Sequence, residues 1–424
     1  MAFIKNYPDL AVNDKREVVL DLIEEALSSI TPRSVIEKEF KVKDNILTIS
    51  GHKFNLNEYE KTFILGFGKG SAKICRLMED TLGIYLNGGF VIDVKTESFE
   101  KIEFCHGTHP VPSQLNIDFS KKAIAGLGNL NERTLVLVVI CGGGSVLFDV
   151  PNIDLDKLIK VNNRLLLCGA DIREINTIRK HLSKIKGGGL AKILKPAKIV
   201  SLVFSDVLGN DLSMVASGPT VFDNTSIYDA LDIYHKYGLE NLGITENDFI
   251  ETPKDENVFF GNDEILMLSN QTALMAMFKK AGKLNIDCEI YSDKFQSDAE
   301  LAGKALIENT KPHSILLAGG ETTLNITNPN GKGGRNQVVV LSSLYYLNDK
   351  TVVASFDSDG WDNGPVAGAI GDSETLEKAK HLGLNPQEYL EKDNSFVFFK
   401  NVQDAIITDR LDSNISDLII IYRK

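Results

Sequence analysis

The sequence predicts an α/β protein built on a mainly parallel sheet, and three observations predict it. Apolar runs of strand length alternate with amphipathic helical stretches along most of the chain, the order that βαβ units impose. One run, "TLVLVVICGGGS" from Thr134, is unbroken until its glycines, as a parallel strand covered on both faces must be. Several such runs end in turns rich in glycine or carboxylate, and in open α/β sheets ligands collect at the carboxyl ends of strands.

Taken in order, Asn13 or Asp14 can cap a first helix. Its Val18, Val19, Leu22, Ile23, Ala26 and Leu27 recur at helical spacing until Pro32 stops it. "TFILGF" and "GGFVID" read as strands, followed by a helix over about 116–127, the buried strand from Thr134 and a helix over about 155–167. A basic segment comes next, then the strand "AKIVSLVFSD". The polar stretch "ETPKDEN" around Pro253 breaks the pattern, which places a domain boundary there: residues 1–252, then a smaller domain over 253–424. In the second part "GNDEILMLSNQTALMAMFKKAG" reads as helical, "DCEIYS" as a strand and "AELAGKALIEN" as a helix. "SILLAGGETTLNIT" makes one or two strands, a helix follows Arg335, and "KTVVASFDSDG" and the tail "DLIIIY" are strands.

A length of 424 residues with 43% hydrophobic and 25% charged side chains is that of a globular chain with more than one core. Its formal net charge of −12 argues against nucleic acid and anionic membrane as partners, since both need a basic footprint. The five cysteines are scattered, without CxxC spacing, so a reducing compartment is expected rather than a disulfide framework. The N-terminus is charged, lacks a leader-like apolar core, and no apolar run approaches a membrane span; a cytoplasmic protein is expected.

Five turns follow strand-like runs: 66–71, 142–145, 205–211, 319–323 and 357–364. "GFGKGS" is neither a Walker loop, because Gly70 follows the lysine, nor a dinucleotide fingerprint, because Ser71 stands where the third glycine belongs. Two readings remain. Backbone N–H groups at Gly68, Gly70 and Ser71, the positive end of the next helix and the charge of Lys69 can receive an anion; alternatively this is a tight strand–helix turn with a solvated lysine. Gly142, Gly143, Gly144 and Ser145 repeat the device. "IREINTIRKHLSKIKGGGLA" gathers Arg179, Lys180 and Lys184 in an acidic chain, either as a solvated face or as the cations that an anionic ligand needs. Arg335, followed by Asn336 in "GKGGRNQ", can grip a carboxylate or phosphate through two parallel bonds. Asp206, Glu321 and Asp359 stand at three strand ends, where hard oxygens suit Mg²⁺ beside phosphates, although each alone is an ordinary turn residue. His109 in "GTHPVP" reads as structural.

Together, in this order, these pieces resemble the MOFRL-type glycerate 2-kinase family, whose members have often been labelled hydroxypyruvate reductases. "GFGKGSA", "CGGGSVL", "INTIRKHLSKIKGGGLA", "SDVLGNDLSMVASGPTVFD", "AGGETTLNI", "GKGGRNQ" and "SFDSDGWDNGPVAGA" carry the resemblance over nearly the whole chain. It implies a Rossmann-like N-terminal domain, a smaller α/β C-terminal domain, and transfer of the γ-phosphoryl group of ATP to the 2-hydroxyl of D-glycerate with Mg²⁺. The family's active-site lysine and arginine fall on Lys69 and Arg335. On this reading Asp206, Glu321 and Asp359 hold the metal or orient the hydroxyl, Asp206 also counts among the catalytic groups, and the Gly142–Ser145 backbone approaches a phosphate. A homodimer is compatible with it. Two departures stand out: where the family reads close to "TGPTGTNVNDL" this chain has "TDRLDSNISDL" from Thr408, and a later aspartate of the family is replaced by Val366. An NAD(P)-dependent hydroxypyruvate reductase, or a silent nucleotide- or hydroxy-acid-binding protein, are the alternatives.

Overall fold

The computed structural model describes residues 2–204 and 211–424. The chain divides into two compact units, Val35–Met267 and a discontinuous one, Met1–Ser34 with Leu268–Lys424. This differs from the split expected at residue 253, for two physical reasons. The polar stretch around Pro253 is a loop bound to the first unit: the Ile250 N–H donates to the His181 carbonyl (2.8 Å) and Thr252 Oγ1 to Asp223 (3.1 Å). The N-terminal helix Asp14–Ser29, capped by Asn13, packs on the helix Asn270–Lys283 and so belongs with the C-terminal residues.

In the unit Val35–Met267 a small antiparallel sheet, β1 (Phe40–Lys43), β2 (Ile46–Ile49) and β3 (His52–Asn55), precedes the main one. The main sheet contains β4 (Lys61–Phe67), β5 (Gly88–Asp93), β6 (Ile102–His106), β7 (Thr134–Cys141), β8 (Lys198–Phe204) and β9 (Asp263–Leu268), in the order β6-β5-β4-β7-β8-β9. The pairs from β6 through β8 are parallel. Every residue of β7 is buried, which is why its sequence is apolar without alternation. The helix Ser71–Leu82 returns from β4 and buries Ile74, Cys75, Met78 and Leu82, one face at helical spacing. The helix Leu155–Leu167 has the bounds that its periodicity predicts.

The other unit carries β10 (Asp287–Phe295), β11 (Ser314–Gly320), β12 (Thr351–Asp357), β13 (Gly368–Gly371), β14 (Ala405–Ile406) and β15 (Asp417–Arg423). Their order is β10-β11-β15-β12-β13-β14. The C-terminal strand β15 runs antiparallel between β11 and β12. Its first residue therefore lies at the edge where β11 and β12 end: Asp417 is opposite Gly320 on one side and Asp357 on the other.

One stretch differs from its expectation. Residues 261–282 read as a single helix, yet β9 occupies their start and the helix begins only at Asn270. Ile265, Met267 and Leu268 are buried in a sheet position, and Ser269, in extended backbone, opens the helix with a capping box to Thr272. Among the described residues no helix is long and apolar enough to cross a membrane.

Candidate active site

In the unit Val35–Met267 the glycine turns after β4 and β7 pack on each other. The Lys69 N–H donates to the Gly142 carbonyl at 2.8 Å. Gly68 has φ +106° and a Cβ there would lie 2.4 Å from the Cys141 carbonyl oxygen, so the turn needs glycine for backbone-to-backbone closeness. The helix N-terminus that follows is already occupied. Asp93, the last residue of β5, accepts from the N–H groups of Gly70 (2.9 Å) and Ala72 (3.0 Å), and Ser71 Oγ donates to the Ile92 carbonyl. Burial pushes the Asp93 carboxyl upward against four backbone N–H donors, those of Gly70, Ala72, Val94 and Lys95, so the macrodipole is offset by the chain's own carboxylate.

Lys69 itself is exposed and turns toward Gly143. At the point where a Gly143 Cβ would stand, His109 Nε2 is 3.0 Å away and the Lys69 Cε 3.3 Å. Burial, and then the charge of Lys69, hold the His109 imidazole below its ordinary value, which keeps it neutral at neutral pH. Gly143 (φ +76°) opens the short helix Gly144–Leu147. There Ser145 Oγ bonds Ser217 Oγ (2.8 Å), which donates to Asn176 Oδ1 (2.7 Å).

The basic segment serves the fold more than a ligand. Its helix ends at His181, so Lys180 and Lys184 do not share a helical face. Lys180 is buried and ion-paired to Asp223 at 3.0 Å. Lys186 is buried against Asp149, and Arg179, half-buried, donates from Nε to Asn162 (2.8 Å). Lys184 alone of the three candidate cations is exposed.

In the other unit, Arg335 starts the helix Arg335–Ser343. Its Nη1 pairs with Glu321, just past β11, and its Nε lies 3.3 Å from Asp417 Oδ2. Again a carboxylate fills the helix N-terminus: Asp362 accepts from the N–H groups of Asn336 (3.1 Å) and Gln337 (2.9 Å) and from Gln337 Nε2 (2.8 Å). Asn336 is buried, donating to Asp417 (2.7 Å) and accepting from Ser355. Asp357 and Asp417 face each other across two strands. Burial drives both carboxyls far above the carboxylate range; the Asp417 and Asp359 charges raise Asp357 further, while Arg335 pulls Asp417 back. The pair therefore carries a proton at neutral pH. A cavity of about 540 Å³ opens here, bordered by Arg335, Glu321, Asp357, Thr322, Gly334 and Trp361. In the segment that departs from the family pattern, Arg410 lays its guanidinium over the Trp361 ring at 4.4 Å.

Comparison with known proteins places the chain in a family. Residues 18–246 match the domain of unknown function DUF4147, and residues 314–417 the MOFRL family. A glycerate 2-kinase of Picrophilus torridus is 34% identical over 98% of both chains, and one of Pyrococcus horikoshii is 32% identical over 96% of this chain and 97% of its own. The chain belongs to the MOFRL-type glycerate 2-kinase family. The crystal structure of the Thermotoga maritima glycerate kinase superposes with a TM-score of 0.85 at 28% identity, covering 96% of this chain and 99% of that one.

In this family member the structure redistributes several expected roles. Gly70 and Ser71 do not offer free donors to a phosphate, because Asp93 takes the Gly70 N–H, the Gly68 carbonyl the Ser71 N–H and the Ile92 carbonyl the Ser71 hydroxyl, while Gly68 itself lies against the Cys141 backbone. Lys180 and Asn336 are withdrawn into buried pairs. Gly142 lends its carbonyl to Lys69, Gly144 packs on Ala216 and Phe67, and Gly143 faces the lysine. Asp206 lies outside the described residues. Glu321 is paired with Arg335, and Asp359 holds the Trp361 N–H (2.8 Å); among the described residues no three His, Cys, Asp or Glu are gathered as a metal cage. Sequence reasoning passed over Asp93 and Asp417. Each is an acid at the end of an apolar strand, "GGFVID" and "SDLIIIY", and that was the available signal.

Proposed function

We propose that this protein transfers the γ-phosphoryl group of ATP to the 2-hydroxyl of D-glycerate, giving 2-phosphoglycerate. The observation that carries the reading is that the relationship to glycerate 2-kinases runs the length of the chain, with an exposed lysine seated on a glycine turn. Phosphoryl transfer needs cations placed around the moving charge more than covalent chemistry. Lys69, exposed, supplies an ammonium with no carboxylate partner among the described residues. Arg335 supplies a guanidinium whose exposed partner, Glu321, an anionic oxygen of the substrate can replace. Within the unit of Lys69, the backbone of Gly143 and the Ser145 hydroxyl are the further groups that meet the anion, with Lys184 and Arg179 adding positive potential.

Mg²⁺ fits the donor chemistry of the second constellation. Asp357, Asp359 and Glu321 offer hard oxygens, and Asp417 Oδ2, 3.3 Å from the Arg335 Nε, is buried without a hydrogen bond; ungathered as they are, one or two of them with phosphate oxygens suit such a cation. When bound it neutralises phosphate charge. The role of Asp206 rests on the sequence.

The alternative of a nicotinamide-dependent reductase meets a physical objection. Asp93 stands where an acidic ribose ligand would, at the end of the strand beside β4, but its carboxylate is spent on Gly70, Ala72 and Val94 N–H groups. Replacing Lys69 by Ala should lower kcat/KM for D-glycerate phosphorylation about a hundredfold or more, with melting temperature unchanged. Undiminished turnover would remove the lysine from the mechanism.

A further inference from the structure

The cavity at Arg335 has features that glycerate does not use. Its volume of about 540 Å³ lies in the range of sites that enclose a whole drug-sized ligand, well beyond a three-carbon acid. Thr322 borders it, and its Oγ1 is buried without a partner among the described residues. A buried hydroxyl of this kind requires a ligand or water to complete it. The chain's single tryptophan, Trp361, also borders the cavity and remains 39% exposed. Its backbone is pinned by Asp359 and its indole is braced by the Arg410 guanidinium at 4.4 Å. A large exposed indole, held in place on the wall of a cavity that mixes apolar side chains such as Leu324 and Ile326 with a guanidinium, suits a flat ring joined to an anion.

We infer that Trp361 is the stacking platform for the purine base of the donor nucleotide, with Thr322 Oγ1 and Arg335 meeting its polar and phosphate portions. The inference rests on the kinase reading above. Stacking on an indole accepts any base with a π face, so the site discriminates nucleotides from inorganic polyphosphate more than one purine from another. Arg410, on the ring it braces, adds cation–π attraction that orients the indole.

Because Trp361 is the only tryptophan, its emission reports on this cavity alone. Titration of the full chain with ADP should quench the emission saturably, whereas inorganic tripolyphosphate and D-glycerate should leave it nearly unchanged. By calorimetry, Trp361→Phe should hold ADP within about threefold of the parent and Trp361→Leu should lose about tenfold or more. Equal quenching by ADP and tripolyphosphate, or parent-like ADP affinity in Trp361→Leu, would overturn the assignment. The two proposals separate cleanly. Glycerate phosphorylation with no response to ADP leaves the kinase and removes the platform. An ADP response without glycerate phosphorylation leaves the platform and removes the kinase.

Discussion

Arg16 joins the N-terminal helix to the C-terminal sheet layer, and removing it tests that attachment. Its side chain is wholly buried between two wholly buried carboxylates. Nε and Nη2 donate to Asp372 at 3.0 and 2.7 Å, and Nη1 and Nη2 to Asp404 at 2.7 and 3.1 Å. In Arg16→Met, Asp404 keeps Lys378 (2.7 Å), but Asp372 keeps only neutral donors, Asn13 and the N–H groups of Glu374 and Thr375. Breaking one side of a buried pair costs about 3–5 kcal/mol. For a unit of this size that lowers the melting temperature by roughly 10 °C. The pH dependence adds a second signature. Burial pushes Asp372 up, but Arg16 and Asn13 bring it below its ordinary value, so in the parent its contribution is present above the unfolded value and is lost as pH falls. Without Arg16 burial dominates, the folded value rises, and the variant gains stability as pH falls. The gap between parent and variant should therefore be widest above neutrality and narrow toward pH 4, measured by urea denaturation across that range. A gap below about 1 kcal/mol, or one indifferent to pH, would refute the attachment of Met1–Ser34 to this unit through Arg16.

Two further outcomes follow from other sites. Burial raises the Glu264 carboxyl to about 7, so its protonated form stabilises the fold below the unfolded value and that contribution disappears as pH climbs to about 7; Glu264→Gln should equal the parent near pH 4 and exceed it above pH 7 by on the order of 3 kcal/mol in denaturant titrations. Gly68→Ala forces a side chain to 2.4 Å from the Cys141 carbonyl at φ +106°, and should cost about 2–4 kcal/mol of stability by the same measurement, with glycerate phosphorylation reduced because Lys69 is displaced.

The fold was largely legible because its signals are local. The unbroken apolar run of β7, the period of the Leu155–Leu167 helix and the strand-like tail β15 each state their own structure. What escaped depends on partners distant in the chain. The N-terminal helix looks the same whichever unit it packs on, and its packing on the helix Asn270–Lys283 with the burial of Arg16 against Asp372 and Asp404 decides the matter. The candidate site shows the same division. Glycine turns before helices mark anion sites by local rule, yet Asp93 and Asp362, each more than twenty residues from the turn it serves, already fill both helix N-termini. Lys180 reads as surface charge until Asp223 is placed beside it. Lys69 and Arg335 retain accessible charge, and these are the two positions on which the resemblance places the family's active-site lysine and arginine.

The most direct test of the central claim is the position of the transferred phosphate. D-glycerate, ATP and Mg²⁺ are incubated with the protein and the product is passed to enolase, with phosphoglycerate mutase absent. The account predicts phosphoenolpyruvate formation without mutase, because the phosphate is on the 2-oxygen. Phosphoenolpyruvate only after mutase is added would place it on the 3-oxygen and contradict the proposed acceptor.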